Sequence, residues 1–489
     1  MISESRPNFV MFIPDQLRFD ALGCFGNPRA STPHLDALAA RGTRFVEAYG
    51  QHTVCSPSRV SFLTGWYPHV RGHRSLGHLL QASEPNLLRT LKDSGYHVAH
   101  AGLRGDTFAR GVTKESTDRF GFAVQPKMLF QNSPYPREHK FARAFYHGQR
   151  SAKGVVLDFD EAAIRTAEEW LADGMPEPWL LYVPLLFPHP PFEVEEPWFS
   201  MHSRSEMARP VPPAAGEPRY MSAIRERYGT DRLDRSDWAE IAATYYGMVS
   251  RVDDQLGRVL HAVERNGAEN RTAVFFFPDH GEYLGDYGLV EKWASGQHDC
   301  LLHNPLVAAI PGGSEGHAAP AFVELVDLVP TLLELADVEP GYTHFGRSLV
   351  HLSADASRPH RQAAFSEGGF ATHEEPLFES AGFPYDLKAA IQHEDPVTNG
   401  KVTTVRTQRW TYCHRLYEAD ELYDREADPQ QLVNLAARPD LAETVTMLRE
   451  KILDWMLATA DVLPWQPDRR MDVEGAIKAR VDHSAAAGS

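Results

Sequence analysis

The sequence predicts an α/β protein with a large, mostly parallel sheet flanked by helices, followed by a smaller C-terminal domain with an antiparallel sheet and a helix. Apolar runs typical of buried strands alternate with helical patterns, which favours a parallel sheet covered on both faces. The composition is globular, with 43% hydrophobic and 24% charged residues in a chain of 489. Polar residues follow two predicted strands, at the sheet edge where α/β proteins bind ligands.

Five apolar runs predict the strands of the main sheet. Each run is short and bounded by polar or turn-forming residues, which is typical of strands buried on both faces. The longest run contains a proline and is too short to cross a bilayer. The predicted strands cover residues 8–13, 96–101, 179–187, 273–277 and 306–310.

Helices are predicted between these strands. Thr32 is a typical N-cap and Pro33 suits the first helical position, so a helix is predicted over residues 32–42. The stretch at 85–94 repeats this pattern, and residues 240–263 show a long helical pattern.

The sequence pattern changes after about residue 353, which suggests two domains. We assign residues 1–354 to a catalytic α/β domain and residues 355–489 to a smaller α+β domain with a tail. The second domain is predicted to contain a loop-rich segment, a β-hairpin, an amphipathic helix and a polar tail. In that order, these features cover residues 374–399, 402–416, 441–460 and 465–489.

Charge and composition argue against several classes of protein. With 49 basic and 66 acidic residues, the net charge is −17, so a general nucleic-acid-binding surface is not expected. An anionic substrate would need a local cationic pocket. Four cysteines are too few for a disulfide framework, and the first residues lack the apolar core of a signal peptide. We expect a cytoplasmic protein without a membrane or nucleic-acid partner.

The polar residues that follow two predicted strands form the first candidate site. Asp15 and Gln16 follow the first strand, and Asp279 and His280 follow the strand at 273–277. Two carboxylates, an amide oxygen and an imidazole suit a divalent metal ion. The alternative is that these residues simply terminate the strands with ordinary hydrogen bonds.

Cys55 and Arg59 form the second candidate site, at the start of an apolar helical pattern. A helix N-terminus stabilises a thiolate and attracts anionic ligands, and Arg59 is one turn further on the same face. The alternative is a buried structural cysteine beside a turn proline.

A third set of residues could bind an anion or move a proton. It consists of Arg59, His189 and Lys292, with His73 and His78 as candidate substrate-binding additions. Each of these residues taken alone is equally well explained as a surface or hydrogen-bonded side chain.

Together these motifs resemble those of a known enzyme family. The pattern Cys55-x-Pro57-x-Arg59 resembles the signature of type I sulfatases, which are formylglycine-dependent members of the alkaline phosphatase superfamily. The resemblance extends from about residue 7 to residue 457. The other matching stretches are residues 32–39, 63–65, 278–285, 288–292, 326–333 and 421–429.

This resemblance implies a fold and a chemistry. The fold would be an alkaline-phosphatase-like sandwich, and a maturation enzyme would oxidise Cys55 to formylglycine, whose hydrated aldehyde is the nucleophile of the family. Arg59 and Lys292 would neutralise negative charge, and His189 would serve the leaving group. The implied ligands of one divalent metal ion are Asp15, Gln16, Cys55, Asp279 and His280.

The sequence departs from the family in two places. The pairs Asp15-Gln16 and Asp279-His280 are similar to those of choline sulfatases and phosphonate monoester hydrolases, and the imidazole makes Mn²⁺ a candidate beside Ca²⁺. The loop at residues 102–106 lacks the lysine usual in this family. Arg104 either takes its place, or pairs with Asp106 or points to solvent.

These observations favour hydrolysis of a sulfate monoester, with a small anionic ester as substrate. The alternative is hydrolysis of a phosphonate monoester or a phosphodiester at the same site. A third alternative is a non-catalytic binding protein with the sulfatase fold. A homo-oligomer is left open.

Overall fold

The computed structural model of the protein describes residues 6–151 and 154–465. The first five residues and the predicted polar tail, apart from its first residue, lie outside the described residues. The strands are β1 Asn8–Ile13, β2 Thr43–Tyr49, β3 His97–Ala101, β4 Arg119–Gly121, β5 Tyr146–Gln149, β6 Trp179–Pro184, β7 Phe192–Val194, β8 Thr272–Phe276, β9 Leu306–Ala309, β10 His317–Glu324, β11 Ala364–Gly368, β12 Val402–Arg406, β13 Trp410–Arg415 and β14 Glu421–Asp424.

The helices connect and cover these strands. They are α1 Pro33–Ala40, α2 Cys55–Thr64, α3 Pro68–Arg71, α4 Leu87–Asp93, α5 Val112–Ser116, α6 Lys140–Arg143, α7 Phe159–Asp173, α8 Trp198–Met201, α9 Arg219–Tyr228, α10 Arg235–Arg265, α11 Asp299–Leu302, α12 Leu328–Leu335, α13 Val350–Ala354, α14 Asp386–Glu394 and α15 Ala442–Thr459. Among the described residues, no helix combines the length and apolarity needed to cross a bilayer.

An eight-stranded sheet forms the centre of the molecule, in the order β10-β2-β9-β8-β1-β6-β3-β4. Strand β9 is antiparallel to both of its neighbours, and the other pairs are parallel. The predicted large, mostly parallel sheet is therefore confirmed. Two short strands, β5 and β7, form a separate parallel pair.

Helices cover both faces of the main sheet because its central strands are apolar on both sides. All six residues of β1 are buried. Val10 and Phe12 belong to a core that includes residues of α7 and α10, whereas Phe9 and Met11 belong to a second core that includes residues of α4 and α12. This alternation follows from the two-residue period of a strand.

A second, antiparallel sheet of four strands runs in the order β11-β12-β13-β14 and packs against α15. The predicted hairpin at residues 402–416 is its β12–β13 pair. The antiparallel sheet and helix expected in the C-terminal part are thus present. The domain boundary between residues 354 and 355 stays a prediction.

Several predicted details differ from the structure. The segment at residues 374–399, predicted to be loop-rich, contains the nine-residue helix α14. The strands that were not predicted are β2, β4, β5, β7, β10, β11 and β14. Thr32 does not cap α1 with its side chain; its hydroxyl donates instead to Asp36 at 3.2 Å.

Candidate active site

The ends of two neighbouring strands bring the predicted metal ligands together. Because β1 and β8 are adjacent and parallel, the residues that follow them lie at the same edge of the sheet. The backbone N–H of Gln16 donates to Oδ1 of Asp279 at 3.2 Å, which fixes the two strand ends to each other. Asp15, Gln16, Asp279 and His280 are all fully buried.

Helix α2 adds Cys55 to this cluster. Cys55 is the first residue of α2, and its Sγ lies 3.2 Å from Nε2 of His280 and 3.6 Å from Oδ1 of Asp15. The candidate ligand atoms of Asp15, Cys55, Asp279 and His280 all lie within 4.8 Å of one another. The geometry thus gathers four of the five predicted ligands around one point.

The chemistry of this donor set fits a divalent metal ion. Nδ1 of His280 donates to the backbone oxygen of Gly281 at 3.0 Å, so its Nε2 is free to face the cluster. Burial lowers the pKa of His280 and favours the neutral imidazole that binds metals. Two carboxylates and an imidazole suit Mn²⁺ or Ca²⁺.

The side chain of Gln16, the fifth predicted ligand, contacts Lys292 and Glu282. Its Oε1 accepts from Nζ of Lys292 at 2.6 Å, and its Nε2 donates to Glu282. Burial raises the pKa of Glu282 to about 7. The amide therefore links the metal-ligand cluster to Lys292.

Arg59 balances the charge of the two carboxylates. Its Nε donates to Oδ2 of Asp279 at 2.9 Å and its Nη2 donates to Oδ2 of Asp15 at 3.2 Å. Its buried Nη1 has no hydrogen-bond partner among the described residues. Burial opposes ionisation of Asp15, but the charges of Arg104 and Arg59 hold its pKa well below the ordinary value.

The thiol of Cys55 is not activated by its position at the start of a helix. Burial, together with the negative charge of Asp15, raises its pKa well above the ordinary value. The expectation of a stabilised thiolate is therefore wrong, because desolvation and nearby carboxylates outweigh the helix N-terminus. The unmodified side chain is a protonated thiol.

Lys292 and His189 form a hydrogen-bonded pair beside the cluster. Nζ of Lys292 donates to Nε2 of His189 at 2.8 Å and to Oε1 of Glu291 at 2.7 Å. Nδ1 of His189 donates to the backbone oxygen of Pro190 at 2.5 Å. Burial and the charge of Lys292 lower the pKa of His189 to about 4, so this histidine is neutral at pH 7.

Arg104 reaches the site but is paired with carboxylates. Its Nη2 lies 2.7 Å from Oδ2 of Asp15, and its Nε donates to Oδ1 of Asp106 at 3.2 Å. Its Nη1 donates to the backbone oxygen of Leu185 at 2.5 Å. Of the alternatives drawn from the sequence, the structure shows the pairing with Asp106 and adds a contact with Asp15.

His73 and His78 hydrogen-bond within their own segment. Nδ1 of His73 contacts the backbone oxygen of His78 at 2.8 Å, and its Nε2 contacts Oε1 of Glu84 at 3.0 Å. Nδ1 of His78 lies 2.6 Å from Oγ of Ser75. Leu76 of the same segment lines the cavity above Cys55, whereas neither histidine does.

A cavity of about 300 Å³ opens above the cluster. Four predicted residues line it: Cys55, Arg104, His189 and Lys292. Sequence reasoning missed other polar or aromatic residues of its wall, which include Glu291, Trp293, Glu379, Tyr385 and Lys388. The last three lie in the segment at residues 374–399, which was predicted to be loop-rich and contains α14. The spacing of Leu387 and Ile391 is a helical signal that could have identified it.

Comparison with known proteins agrees with this geometry. PehA of Trinickia caryophylli, a multifunctional alkaline phosphatase superfamily protein, is 26% identical over 509 residues, covering 94% of this chain and 96% of PehA. Choline-sulfatase of Rhizobium meliloti (strain 1021) is 23% identical over 466 residues, covering 90% and 84%. The crystal structure of phosphonate monoester hydrolase of Agrobacterium radiobacter is similar with a TM-score of 0.74 at 25% identity, covering 93% and 96%.

The family assignment rests on a match to a family model. The sulfatase family model matches residues 7–338, which is more than half of the chain and includes every predicted ligand and charged residue of the site. This protein therefore belongs to the sulfatase family and is a hydrolase of the alkaline phosphatase superfamily.

Proposed function

We propose that this enzyme hydrolyses a sulfate monoester, with formylglycine derived from Cys55 as the nucleophile. The observation that carries the proposal is the position of Sγ of Cys55, which lies 3.2 Å from His280 and 3.6 Å from Asp15 within the metal-ligand cluster. The same cavity is lined by Lys292 and Arg104, which suits an anionic ester. The sulfatase family supports the choice of sulfate.

The residues that would hold the metal ion are Asp15, Gln16, Asp279, His280 and residue 55. When bound, a divalent ion lowers the pKa of a coordinated hydroxyl and attracts the oxygens of an anionic group. The carboxylates of Asp15 and Asp279 are already oriented by Arg59, so binding requires little rearrangement of these side chains.

The protein's own cations are arranged to hold the negative charge that develops during ester cleavage. Lys292 contacts both Gln16 and His189, and it stays protonated because Glu291 and Asp15 raise its pKa against the effect of burial. Since His189 is neutral, the proton shared by the Lys292–His189 pair resides on Lys292. We infer that the leaving oxygen receives its proton from this pair.

The nucleophile can be tested directly. Coexpression with a formylglycine-generating enzyme should convert Cys55 from a thiol to an aldehyde, and mass spectrometry of the peptide that contains residue 55 should detect the change. Cys55→Ala should abolish turnover and leave the fold intact, because it removes a single buried atom outside the hydrophobic interior of the sheet. A fully active preparation with an unmodified Cys55 would refute this part of the proposal.

A phosphonate monoester or a phosphodiester is the second candidate substrate. One observation favours it: the carboxylates of Asp15 and Asp106 balance the charge of Arg104. One similar solved structure is that of a phosphonate monoester hydrolase. Parallel kinetics on an aryl sulfate and an aryl phosphonate monoester would rank the two substrates by kcat/KM, and we expect the sulfate to be preferred.

We also propose that the protein acts in the cytoplasm, with a maturation enzyme as a macromolecular partner. The net charge of −17 argues against a nucleic acid as a further partner. Cell fractionation, followed by detection of the protein in each fraction, would test it.

A further inference from the structure

The cavity above Cys55 contains a cation that the sequence analysis did not select. Lys388 lies in α14, and its Nζ donates to Oε2 of Glu291 and to the backbone oxygen of Lys292. The ammonium lies 5.6 Å from the centre of the Trp293 ring. The side chain is only 11% exposed, and it lines the same cavity as Cys55. Helix α14 therefore places an amine at the candidate active site; burial lowers its pKa from the ordinary value, and the charge of Glu291 opposes this shift.

The other cations of the cavity have little hydrogen-bonding capacity left. Lys292 uses all three of its Nζ–H groups, for Gln16, His189 and Glu291. Arg104 uses four of its five N–H groups, and two carboxylates balance its charge. An ammonium has three donors, and Lys388 makes two hydrogen bonds among the described residues. One N–H of Lys388 is thus available to the cavity.

We propose that Lys388 is a substrate-binding residue that donates a hydrogen bond to an anionic oxygen of the ester. This inference rests on the proposed function, because it assumes an anionic ester beside residue 55. Lys388 would supply a cationic donor with an unused N–H group near the loop at residues 102–106, where the guanidinium of Arg104 is held by Asp15 and Asp106. An ionised donor makes a stronger bond to an anion than a neutral one does.

A purely structural role for Lys388 leads to a different expectation. Lys388 and Lys292 both contact Glu291, so Lys388 could act only by balancing the charge of this carboxylate. In that case, removing the charge of Glu291 together with that of Lys388 would restore activity. If Lys388 binds the ester, the double variant stays impaired, because the donor to the substrate is still missing.

The experiment compares four variants in the metal-loaded, matured enzyme: Lys388→Met, Lys388→Arg, the double variant Lys388→Met/Glu291→Gln, and Lys451→Met. The last is a control, because Lys451 lies in α15 and does not line this cavity. Two quantities are measured, namely kcat/KM for an aryl sulfate and the calorimetric affinity for inorganic sulfate. The calorimetry does not depend on turnover.

We expect Lys388→Met to lower kcat/KM by about 10- to 100-fold, the range for loss of one charge-assisted hydrogen bond. The affinity for inorganic sulfate should fall by a similar factor. Lys388→Arg should recover part of both losses, the double variant should recover neither, and Lys451→Met should match the wild type. Circular dichroism and metal content check that each variant is folded and loaded.

Three results would overturn the inference. They are wild-type sulfate affinity in a folded Lys388→Met variant, recovery of activity in the double variant, and no binding of sulfate by the wild type. Failure of the proposed function looks different, because the wild type would then hydrolyse neither the aryl sulfate nor the aryl phosphonate. In that case the calorimetric comparison still decides whether Lys388 binds a tetrahedral anion.

Discussion

At the residue scale, three carboxylates of this site each contact a cation. Arg59 contacts Asp15 and Asp279, Arg104 contacts Asp15, and Lys292 contacts Glu291. Buried charges without such partners are expensive. The cations therefore stabilise the folded site in the absence of substrate. Only a cation that still has an unused N–H donor can also bind an ester.

Arg104 is the residue whose role the sequence left open, and its contacts predict the effect of replacing it. Arg104→Ala would leave Asp106 and the backbone oxygen of Leu185 without their donor. We expect the free energy of unfolding to fall by about 3 kcal/mol, the scale for breaking a buried charge pair. Because most N–H groups of Arg104 bind protein atoms, we expect kcat/KM to fall by about tenfold or less. Denaturant unfolding and steady-state kinetics measure the two effects.

Arg104→Lys provides the comparison for this prediction. A lysine keeps the charge but cannot reproduce the fork that contacts both Asp15 and Asp106. It should therefore be nearly as unstable as Arg104→Ala. A loss of kcat/KM of about 10²-fold or more, with normal stability and metal content, would mean that Arg104 contacts the ester instead.

Among the secondary-structure elements, helix α7 holds the segment that follows β6 in position. Asp160 of α7 accepts the backbone N–H groups of Leu186 at 2.7 Å and Phe187 at 2.8 Å, one with each oxygen. The guanidinium groups of Arg150 and Arg251 lie 4.7 and 4.9 Å from the centre of the Phe187 ring. This arrangement holds the segment that carries His189, two residues further on.

Asp160→Asn tests whether this support matters for catalysis. An asparagine side chain has one acceptor oxygen and one NH₂ group, so it can accept only one of the two backbone N–H groups. We expect stability to fall by about 1–3 kcal/mol through the unsatisfied N–H. We also expect kcat to fall by about tenfold, because a small displacement of a positioned group lowers the rate.

The matched control for Asp160→Asn is Asp173→Asn, a change at the exposed C-terminal end of the same helix, which should alter neither quantity. If Asp160→Asn loses stability but keeps the wild-type kcat, then the position of His189 does not depend on α7.

The elements of this fold differ in how well the sequence predicts them, and the reason is burial. Strands β1 and β8 are continuous apolar runs buried on both faces, so their ends and the ligands that follow them could be predicted. Strand β10 has exposed residues in its first half and lies at the sheet edge, which weakens its pattern. Helix α14 is short and half-exposed, so Lys388 was missed with it.

No sequence pattern could predict which charged side chains of the site pair with each other. The chemical types of Asp15, Asp279 and His280 were enough to predict a metal site. The pairing of Arg104 with Asp15 was not predictable, because it depends on where two distant segments meet in space. The same holds for the pKa of Cys55, which burial and Asp15 raise.

The whole molecule combines a net charge of −17 with a cavity lined by three cations: Arg104, Lys292 and Lys388. The overall field repels an anionic ester, so attraction depends on these local charges. A fall in pH makes the whole chain less negative, since it adds protons to its histidines. The free energy of unfolding of the whole protein therefore depends on pH through the pKa values of these histidines.

We expect the protein to lose stability as pH falls from about 6.5 to about 4. Burial lowers the pKa of eight histidines in the described part of the chain, to about 3 for His52 and about 4 for His100, His189 and His298. The other four are His202, His280, His303 and His344. An unfolded histidine takes up a proton near pH 6.5, whereas the buried one stays neutral, so acid favours the unfolded chain.

Some buried carboxyl groups oppose this loss of stability in acid, and the net change in the free energy of unfolding depends on both kinds of group. Burial raises the pKa of Asp160 and Asp253 to about 6 and that of Glu282 to about 7, so these groups bind protons in the folded state first and favour it. Burial also raises the pKa of Glu324 and Glu379, and a hydrogen bond to Glu84 raises that of His73. These six groups are fewer than the eight histidines, and therefore the net stability should fall. Denaturant midpoints measured in steps from pH 8 to pH 4 test this. Midpoints that stay constant or rise towards pH 5 would contradict it.

A variant isolates the contribution of a single histidine to this acid sensitivity. His298 packs against Tyr287 with ring centres 4.3 Å apart, so His298→Phe keeps an aromatic ring but removes the titrating group. The variant loses a hydrogen bond to Tyr283 at every pH, so its midpoint should be lower throughout. Its free energy of unfolding should nevertheless fall less steeply below pH 6.5, by about 1.4 kcal/mol per pH unit for one proton. If the free energy of unfolding falls equally steeply in the variant and the wild type, protonation of His298 does not contribute to the acid sensitivity, which then has another source.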